Sequence, residues 1–355
     1  MAPAERAISK DFKDSAKGDH QKAVANRVSD DTYFLQVRDL KKTFIDKKRK
    51  VEAIKGISFF VSEGEMVGFL GPNSAGKTTT IKSILGLVKP DCGTIMIDGF
   101  DCARNQKEAA RRMAAVLEGA RNTYWRLSVW ENMVFFAGIH GVAAKKEKDY
   151  FEYLLEVLKL QDKRNTEVRN LSSGYKQKTA VACALAKKTP LVFMDEPTLG
   201  LDVESSYELR AALRSLQAEE KRTIVVSSHD MKVIQEVCNR VIIISGGRIV
   251  ADEQTDDLLS LFKTRNYKIV VSKNGNSNYE KSLAAAIRRG FPQAEVNEIS
   301  GTMEIAVDFK NPFEIYELIE TLREARVPIE TIIQEQVDLE KVFLEIVRRG
   351  NGPCG

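Results

Sequence analysis

The chain has 355 residues, of which 43% are hydrophobic and 29% are charged, and its formal net charge is +4. This length allows two domains, and the balanced charge does not indicate a nucleic-acid-binding protein. No apolar run approaches the roughly 18 residues that a membrane-spanning helix needs, and the N-terminal segment lacks the pattern of a secretory signal. Five cysteines without a Cys-x-x-Cys pair favour reduced thiols in a cytosolic protein. We therefore expect any membrane role to require another chain.

Residues 1–33 are polar and mixed in charge, and we expect them to form a flexible leader. From 34 to 263, short apolar segments alternate with segments of helical periodicity. The apolar segments predicted as buried strands are 66–70, 191–194 and 223–226. Strands this apolar, separated by helices, predict a mostly parallel sheet that is covered on both faces. A predominantly helical stretch at about 104–188 is expected to form a subdomain of its own.

A glycine-rich loop follows the first of these strands and precedes a helical pattern. It fits the pattern G-x-x-x-x-G-K-[ST] with Gly71, Pro72, Asn73, Ser74, Ala75, Gly76, Lys77 and Thr78. Glycines let successive backbone N–H groups turn inward onto phosphate oxygens, and the following helix adds its positive end. We expect contacts with a nucleotide through to Thr79, with Lys77 at the β- and γ-phosphates and the Thr78 hydroxyl on Mg²⁺. A structural glycine turn is the alternative.

The second apolar strand ends in two adjacent carboxylates, Asp195 and Glu196. In phosphoryl transfer one acid holds Mg²⁺ and another orients or deprotonates the attacking water. We assign the first role to Asp195, mostly through water, and the second to Glu196. His229 follows the third strand and two serines, where its imidazole could contact the γ-phosphate. Solvated loop acids and a structural histidine are the alternatives for these positions.

The last segment, residues 265–348, has a different pattern. Its strands and helices are predicted in the order βαββαβ, which is typical of a ferredoxin-like α+β domain. Residues 339–347 add a closing helix, and 349–355 form a tail. We expect this small domain to buttress or regulate the rest, and we assign it no chemistry.

Together the loop, the paired acids and the histidine resemble the ATP-binding cassette family over residues 34–263. A signature-like loop, a residue after the paired acids and an aromatic near the start of the domain add to this resemblance. They are Ser172, Ser173 and Gly174, then Asp202, and then Phe44. In the family the aromatic stacks on adenine, although a plain core phenylalanine is the alternative for Phe44.

This resemblance implies a P-loop NTPase cassette with antiparallel and helical subdomains, and ATP with Mg²⁺ as its ligands. Two cassettes assemble head to tail, so that the signature loop of one closes on the γ-phosphate held by the other. Asp202 would couple the two sites across the dimer. The implied partners are a second copy of this chain and a membrane-spanning permease subunit, with the chain bound peripherally on the cytoplasmic side.

Several residues depart from the commonest family pattern. Ser74 stands where glycine is usual, and we expect the loop to tolerate it at a negative φ. Ser173 and Tyr175 alter the signature in a way that resembles exporters of drugs, polysaccharides and lipids. Glu118 replaces the glutamine that normally touches Mg²⁺, so it is either a metal ligand or a surface acid. Tyr124 and Trp125 lie close after it, where exposure at a partner interface and burial in the helical subdomain are both open.

Two other functions compete with the transporter ATPase. One is a soluble cassette ATPase that acts on a macromolecular assembly, although the sequence has one cassette, no sustained heptads and no basic linker. The other is a nucleotide-binding regulator with little turnover, and the intact catalytic residues argue against it. We therefore predict an ATP-hydrolysing transporter subunit, most simply of an exporter.

Overall fold

The computed structural model describes residues 33–46, 49–118, 122–261, 266–272, 277–299, 302–309, 311 and 313–334. The chain divides into two compact units at Asp256 and Asp257, slightly before the expected boundary. The expected leader (apart from Tyr33), the closing helix at 339–347 and the tail at 349–355 lie outside the described residues. Within the described part of the chain, no helix is both long and apolar enough to span a bilayer.

The first unit is built from strands, helices and short connections. Its strands are β1 (Leu35–Asp46), β2 (Arg49–Val61), β3 (Met66–Leu70), β4 (Cys92–Ile97), β5 (Phe100–Asp101), β6 (Met113–Val116), β7 (Leu191–Asp195), β8 (Thr223–Ser228), β9 (Arg240–Ser245) and β10 (Arg248–Gln254). Its helices are α1 (Lys77–Ile84), α2 (Gln106–Arg111), α3 (Val129–Ile139), α4 (Lys148–Val157), α5 (Ser173–Ala186), α6 (Val203–Glu220) and α7 (Met231–Val237), and α8 (Thr255–Leu261) crosses the division.

The central sheet of this unit has the strand order β10-β9-β3-β8-β7-β6. All pairings are parallel except that of β10 with β9. β3, β7 and β8 are buried along their whole lengths, which explains their uninterrupted apolar sequences. A second, antiparallel sheet has the order β2-β1-β4-β5. The predicted P-loop cassette, with a mostly parallel sheet and an antiparallel subdomain, is confirmed.

Helices form within the stretch predicted as a helical subdomain at about 104–188, but β6 also lies there and pairs with β7 of the central sheet, so the start of the predicted stretch belongs to that sheet. Ser128 caps α3: its hydroxyl accepts from the Glu131 N–H at 3.2 Å, and the Glu131 carboxylate accepts from the Ser128 N–H at 2.8 Å. This reciprocal pair satisfies two N–H groups that a helix leaves unbonded at its start. The other α-helices described in the stretch are α2, α4 and α5.

The parallel register gathers the chemistry at one edge of the sheet. Leu70 of β3 pairs with Ser228 of β8, and Asp195 of β7 pairs with Ser227 of β8. The carboxyl ends of β3, β7 and β8 therefore lie side by side, and the segments that follow them emerge together. This is the edge at which open α/β sheets bind their ligands.

The second unit follows the order βαββαβ. Its elements are β11 (Asn266–Ser272), α9 (Ser277–Gly290), β12 (Glu295–Ile299), β13 (Thr302–Asp308), α10 (Glu314–Glu324) and β14 (Ile329–Gln334). The four strands form an antiparallel sheet in the order β12-β13-β11-β14. Alternate residues of β11 and β13, such as Ile269 and Ile305, are buried in a core of their own. This separate core is why the segment forms an independent unit.

Candidate active site

The glycine-rich loop joins the buried end of β3 to the start of α1. Gly76 adopts φ 112°, and a Cβ at this position would lie 2.6 Å from the Ala53 carbonyl oxygen. Glycine is therefore required there for both conformation and space. The Ala75 carbonyl accepts from the Gly247 N–H at 3.0 Å, which fixes the loop against the turn between β9 and β10. The result is a rigid loop whose backbone is positioned at a helix N-terminus.

Lys77 is buried at the centre of this loop. Its ammonium donates to the Gly71 carbonyl at 2.5 Å and lies 3.6 Å from a Glu196 carboxylate oxygen. Both side chains are nearly inaccessible, with 5% and 6% exposed. Burial lowers the pKa of the Lys77 amine, and the Glu196 charge and hydrogen bond oppose that effect. The loop thus holds a cation at the position where a phosphate would sit, with a carboxylate beside it.

Ser74 contradicts the expectation of a negative φ. The residue adopts φ 68°, in the left-handed region, and its hydroxyl donates to the Asn73 carbonyl. Residues with a Cβ pay about 1–2 kcal/mol in this region. The loop therefore keeps the backbone conformation that suits glycine, and the serine is accommodated with strain.

Replacing Ser74 with glycine is expected to raise the free energy of unfolding by about 0.5–1 kcal/mol. Relief of the left-handed strain is partly offset by the larger conformational freedom of glycine in the unfolded chain. Urea unfolding of the unliganded chain measures this change. Ser206→Gly, within the regular helix α6, is the matched control and should be destabilising. Equal destabilisation by both variants would show that Ser74 is unstrained.

Asp195 lies at the end of β7 against the start of α1. One of its carboxylate oxygens, Oδ1, accepts from the Thr78 hydroxyl at 3.1 Å and from the Ser227 hydroxyl. The other, Oδ2, is buried and has no hydrogen-bond partner among the described residues. A buried anionic oxygen without a partner is costly unless a cation or water meets it. Thr78 and Asp195 therefore fit the oxygen ligands that Mg²⁺ prefers.

Glu196 has an unusual backbone for its residue type. It adopts φ 50° directly after β7, while its N–H still donates to the Ser227 carbonyl at 3.0 Å. Its carboxylate accepts from the Ser228 hydroxyl at 3.2 Å and lies 3.0 Å from Nδ1 of His229. The left-handed turn aims the side chain away from the strand direction and toward Lys77. Such strain persists only where surrounding contacts hold it in place.

Ser227 and Ser228 have a larger part in the site than the sequence suggested. Their only sequence signal is their position immediately before His229 at the end of an apolar strand. The β7–β8 register places the Ser227 hydroxyl next to the Asp195 carboxylate and the Ser228 hydroxyl next to the Glu196 carboxylate. These hydroxyls orient the two carboxylates that the sequence did identify.

Phe44 is exposed rather than part of the core, so its alternative assignment as a plain core residue is wrong. Its ring lies on β1 with 42% of the residue accessible. The Lys42 ammonium lies 5.4 Å from the ring centroid and forms an ion pair with Asp91 at 3.0 Å. Asp91 also accepts from the Thr43 N–H at 2.6 Å. An exposed ring held by its neighbours suits base stacking.

Phe44→Ala is expected to weaken ATP binding by about tenfold and to leave the binding of inorganic triphosphate unchanged. Stacking contributes about 1–3 kcal/mol per base, and triphosphate lacks a base. Titration calorimetry with each ligand separates the two contributions. Phe135→Ala, at another exposed aromatic, should change neither affinity. An equal loss for both ligands would mean that Phe44 supports the loop instead of the base.

The residues of the signature-like loop lie at the N-terminus of α5, and one of them, Gly174, packs against α6. Ser172 caps α5, with its hydroxyl 3.5 Å from the Tyr175 N–H. Ser173 begins α5, and Gly174 packs against Ser205. Asp202 caps α6 by accepting from the Ser205 N–H at 2.8 Å, and this bond lowers the pKa of Asp202. Within one chain, Asp202 therefore stabilises the start of α6.

Glu118 is exposed. Burial lowers the pKa of Lys77, and the Glu118 charge is one of those that oppose this effect, so Glu118 lies within electrostatic reach of the phosphate-binding loop. Tyr124 and Trp125 are about half exposed, which favours the interface assignment over burial. The Tyr124 ring packs edge-on against Phe135 at 4.8 Å. These aromatics form a surface on the helical subdomain rather than part of its core.

The chain is similar to proteins of known family. A family model described as ABC transporter matches residues 54–199. The ATP-binding protein NatA of Bacillus subtilis is 34% identical over 240 residues, which cover 65% of this chain and 97% of that protein. The Nod factor export ATP-binding protein I of Rhizobium etli is 31% identical over 326 residues, or 91% of this chain and 97% of that protein.

Solved structures show the same fold. A dimeric ATP-binding cassette in a post-hydrolysis state, bound to ADP and phosphate, is 26% identical with a TM-score of 0.57. The match covers 62% of this chain and 98% of that one. More than a third of this chain therefore has no counterpart in that match.

Proposed function

Because the chain belongs to the family of ABC transporter ATP-binding subunits, we propose that it powers export through a separate membrane-spanning subunit. It is an ATPase, and the alternative of a soluble cassette ATPase acting on a macromolecular assembly is not favoured. The direction of transport rests on two supports. The signature-like loop departs from the commonest family pattern at Ser173 and Tyr175 in a way that resembles exporters. In addition, an export protein matches across 91% of this chain.

The observation that carries the catalytic proposal is the contact among three elements at one sheet edge. Lys77, Glu196 and His229 come from the segments after β3, β7 and β8. The Glu196 carboxylate lies 3.6 Å from the Lys77 ammonium and 3.0 Å from Nδ1 of His229. A cation for phosphate, a carboxylate and an imidazole at hydrogen-bonding distance are the groups that water attack on a terminal phosphate requires.

The proposed mechanism begins with ATP in the loop from Gly71 to Thr79, with adenine against Phe44. The triphosphate draws the Lys77 ammonium away from the Gly71 carbonyl and from Glu196. Glu196, then freed of its cation, accepts a proton from the attacking water. His229 donates to the γ-phosphate and holds it in line. These groups are already neighbours in the unliganded chain, where Lys77 contacts the Gly71 carbonyl and Glu196 lies beside both Lys77 and His229.

Thr78 and Asp195 would hold Mg²⁺, which when bound neutralises phosphate charge. We propose that Glu118 lies at the same end of the site. Glu118→Gln should then keep appreciable ATPase activity and Glu118→Ala should lower it, because a glutamine oxygen can replace a carboxylate oxygen as a ligand. Steady-state ATPase assays over a range of Mg²⁺ concentrations test this. Wild-type activity in both variants would make Glu118 a surface acid.

We further propose that two copies of the chain form a head-to-tail homodimer on the cytoplasmic side of the membrane. Ser172 to Gly174 of one copy would complete the site of the other, since a capped helix N-terminus favours an anion. ATP binding would then draw the copies together, and hydrolysis would release them. Tyr124 and Trp125 would contact the membrane-spanning partner, because exposed aromatics are enriched at interfaces.

The partner is tested by affinity purification of the tagged chain from detergent-solubilised native membranes, with partners identified by mass spectrometry. We expect a stoichiometric polytopic membrane protein, and Trp125→Ser should weaken its recovery while leaving ATP binding intact. Deletion of the partner gene should then cause a cargo to accumulate inside the cell. Cargo depletion would indicate import. Recovery of ribosomal or other soluble partners alone would contradict the transporter function.

A further inference from the structure

The helix that begins at the signature-like loop is bound to the helix that follows the catalytic carboxylates. α5 starts directly after Ser172, and α6 starts after Asp202, a short loop beyond Glu196. A Cβ at Gly174 would overlap the Ser205 hydroxyl and lie 2.8 Å from the Ser205 Cβ. The two helices therefore approach as closely as a glycine allows, at the first turn of each.

One turn further along, an ion pair joins the same two helices. Lys178 of α5 pairs with Glu208 of α6, and Glu208 also accepts from Lys159, which follows α4, at 2.8 Å. Lys178 has 3% of its side chain exposed and Glu208 has 20%. A buried ammonium is stable only when it is paired, so this contact fixes the separation of α5 and α6.

The two contacts lie one above the other. Gly174 and Lys178 are four residues apart on α5, and Ser205 and Glu208 are three apart on α6, so each pair shares a helix face. Two consecutive contacts prevent α5 from rotating about either one alone. The signature-like loop and the Asp202 segment are thereby held as one rigid piece.

We propose that Glu208 is a positioning residue that sets the signature-like loop for the ATP held by the second subunit and links that contact to Glu196 of its own subunit. This inference rests on the proposed head-to-tail dimer. When the ATP of the second subunit contacts Ser172, α5 is displaced. Because α5 and α6 are held together, α6 moves with it and shifts Asp202 and the loop that connects Asp202 to Glu196. ATP binding at one site thereby alters the position of Glu196 at the other.

The test uses the full-length chain with Glu196→Gln, which we expect to bind ATP with little hydrolysis. Glu208→Gln or Lys178→Met is added, and two quantities are measured: ATP affinity, and ATP-driven dimerisation by analytical ultracentrifugation. Lys178→Met leaves no buried charge unpaired, because Glu208 keeps Lys159. We expect ATP affinity to stay within about twofold, and the dimer dissociation constant to rise by at least about tenfold. The two substitutions together should be no worse than either alone.

A matched control breaks an ion pair of the helical subdomain that does not reach α6. Glu147 pairs with Lys188 at 2.7 Å, and Glu147→Gln should leave dimerisation unchanged. In the otherwise wild-type enzyme, Lys178→Met should also lower the Hill coefficient of ATPase activity toward one. Unaltered dimerisation in both Glu208→Gln and Lys178→Met would overturn this inference alone. Failure of the parent Glu196→Gln chain to dimerise on ATP would overturn the proposed dimer and this inference with it.

Discussion

Glu196→Gln is expected to reduce ATP hydrolysis by about two to four orders of magnitude while ATP binding persists. The amide keeps the size of the side chain but cannot accept a proton, and positioned general bases contribute about 10²–10⁴ in rate. ATP binding should not weaken, because the amide no longer competes with phosphate for the Lys77 ammonium, which lies 3.6 Å from the carboxylate. Single-turnover hydrolysis and equilibrium titration with ATP give the two quantities.

The control is Glu63→Gln, which changes an exposed acid in the turn before β3, at the opposite end of that strand from the phosphate-binding loop. Its ATPase activity should equal that of the wild type. If Glu196→Gln retained more than about a tenth of wild-type turnover, another group would have to activate the water. His229 would then be the first candidate, because Nδ1 lies next to the same carboxylate.

The parts of the site predictable from sequence are those encoded by contiguous residues. The phosphate-binding loop is one run from Gly71 to Thr78, and the paired acids end one apolar strand. In both cases a buried strand delivers the polar residues to the sheet edge, so an apolar run followed by polar residues predicts the site. The carboxyl ends of parallel strands share that edge whatever their order, and the order β10-β9-β3-β8-β7-β6 is not predicted by these patterns.

The unpredicted parts depend on backbone conformation and on pairing between distant segments. A serine normally avoids φ near 68°, yet Ser74 adopts it because the loop is fixed at both sides by β3 and by the turn after β9. Glu196 is held at φ 50° by hydrogen bonds to Ser227 and Ser228, and these exist only once β7 and β8 are in register. Propensity describes a residue alone, so tertiary contacts override it here.

The exposure of Phe44 and the contact of α5 with α6 also depend on tertiary packing, so the sequence alone does not predict them. Alternation on β1 could place Phe44 on either face, and only the sheet pairing decides which face is solvent. Lys178 and Glu208 are thirty residues apart, and each would be expected on a solvated helix face. Their pairing is visible only after the helices pack, so the sequence contains no local signal of it.

Lys77→Met is expected to weaken ATP binding by about 10- to 100-fold, because a charge-assisted hydrogen bond to phosphate contributes about 1.5–3 kcal/mol. The same change should lower the stability of the unliganded chain. It leaves the Glu196 carboxylate buried without its cation, and breaking a buried pair costs about 3–5 kcal/mol. Hydrogen bonds from Ser228 and proximity to His229 should reduce that cost. Titration with ATP and urea unfolding measure the two effects.

The double variant Lys77→Met/Glu196→Gln separates these effects. Removing the carboxylate charge as well should restore most of the lost stability, because no buried charge then lacks a partner, while ATP affinity stays low. Lys82→Met, further along α1, is the control and should alter ATP affinity little. Full additivity of the two single substitutions in stability would mean that Lys77 and Glu196 do not interact in the unliganded chain. The ammonium would then be held by the Gly71 and Pro72 carbonyls, and ATP binding would release no carboxylate for catalysis.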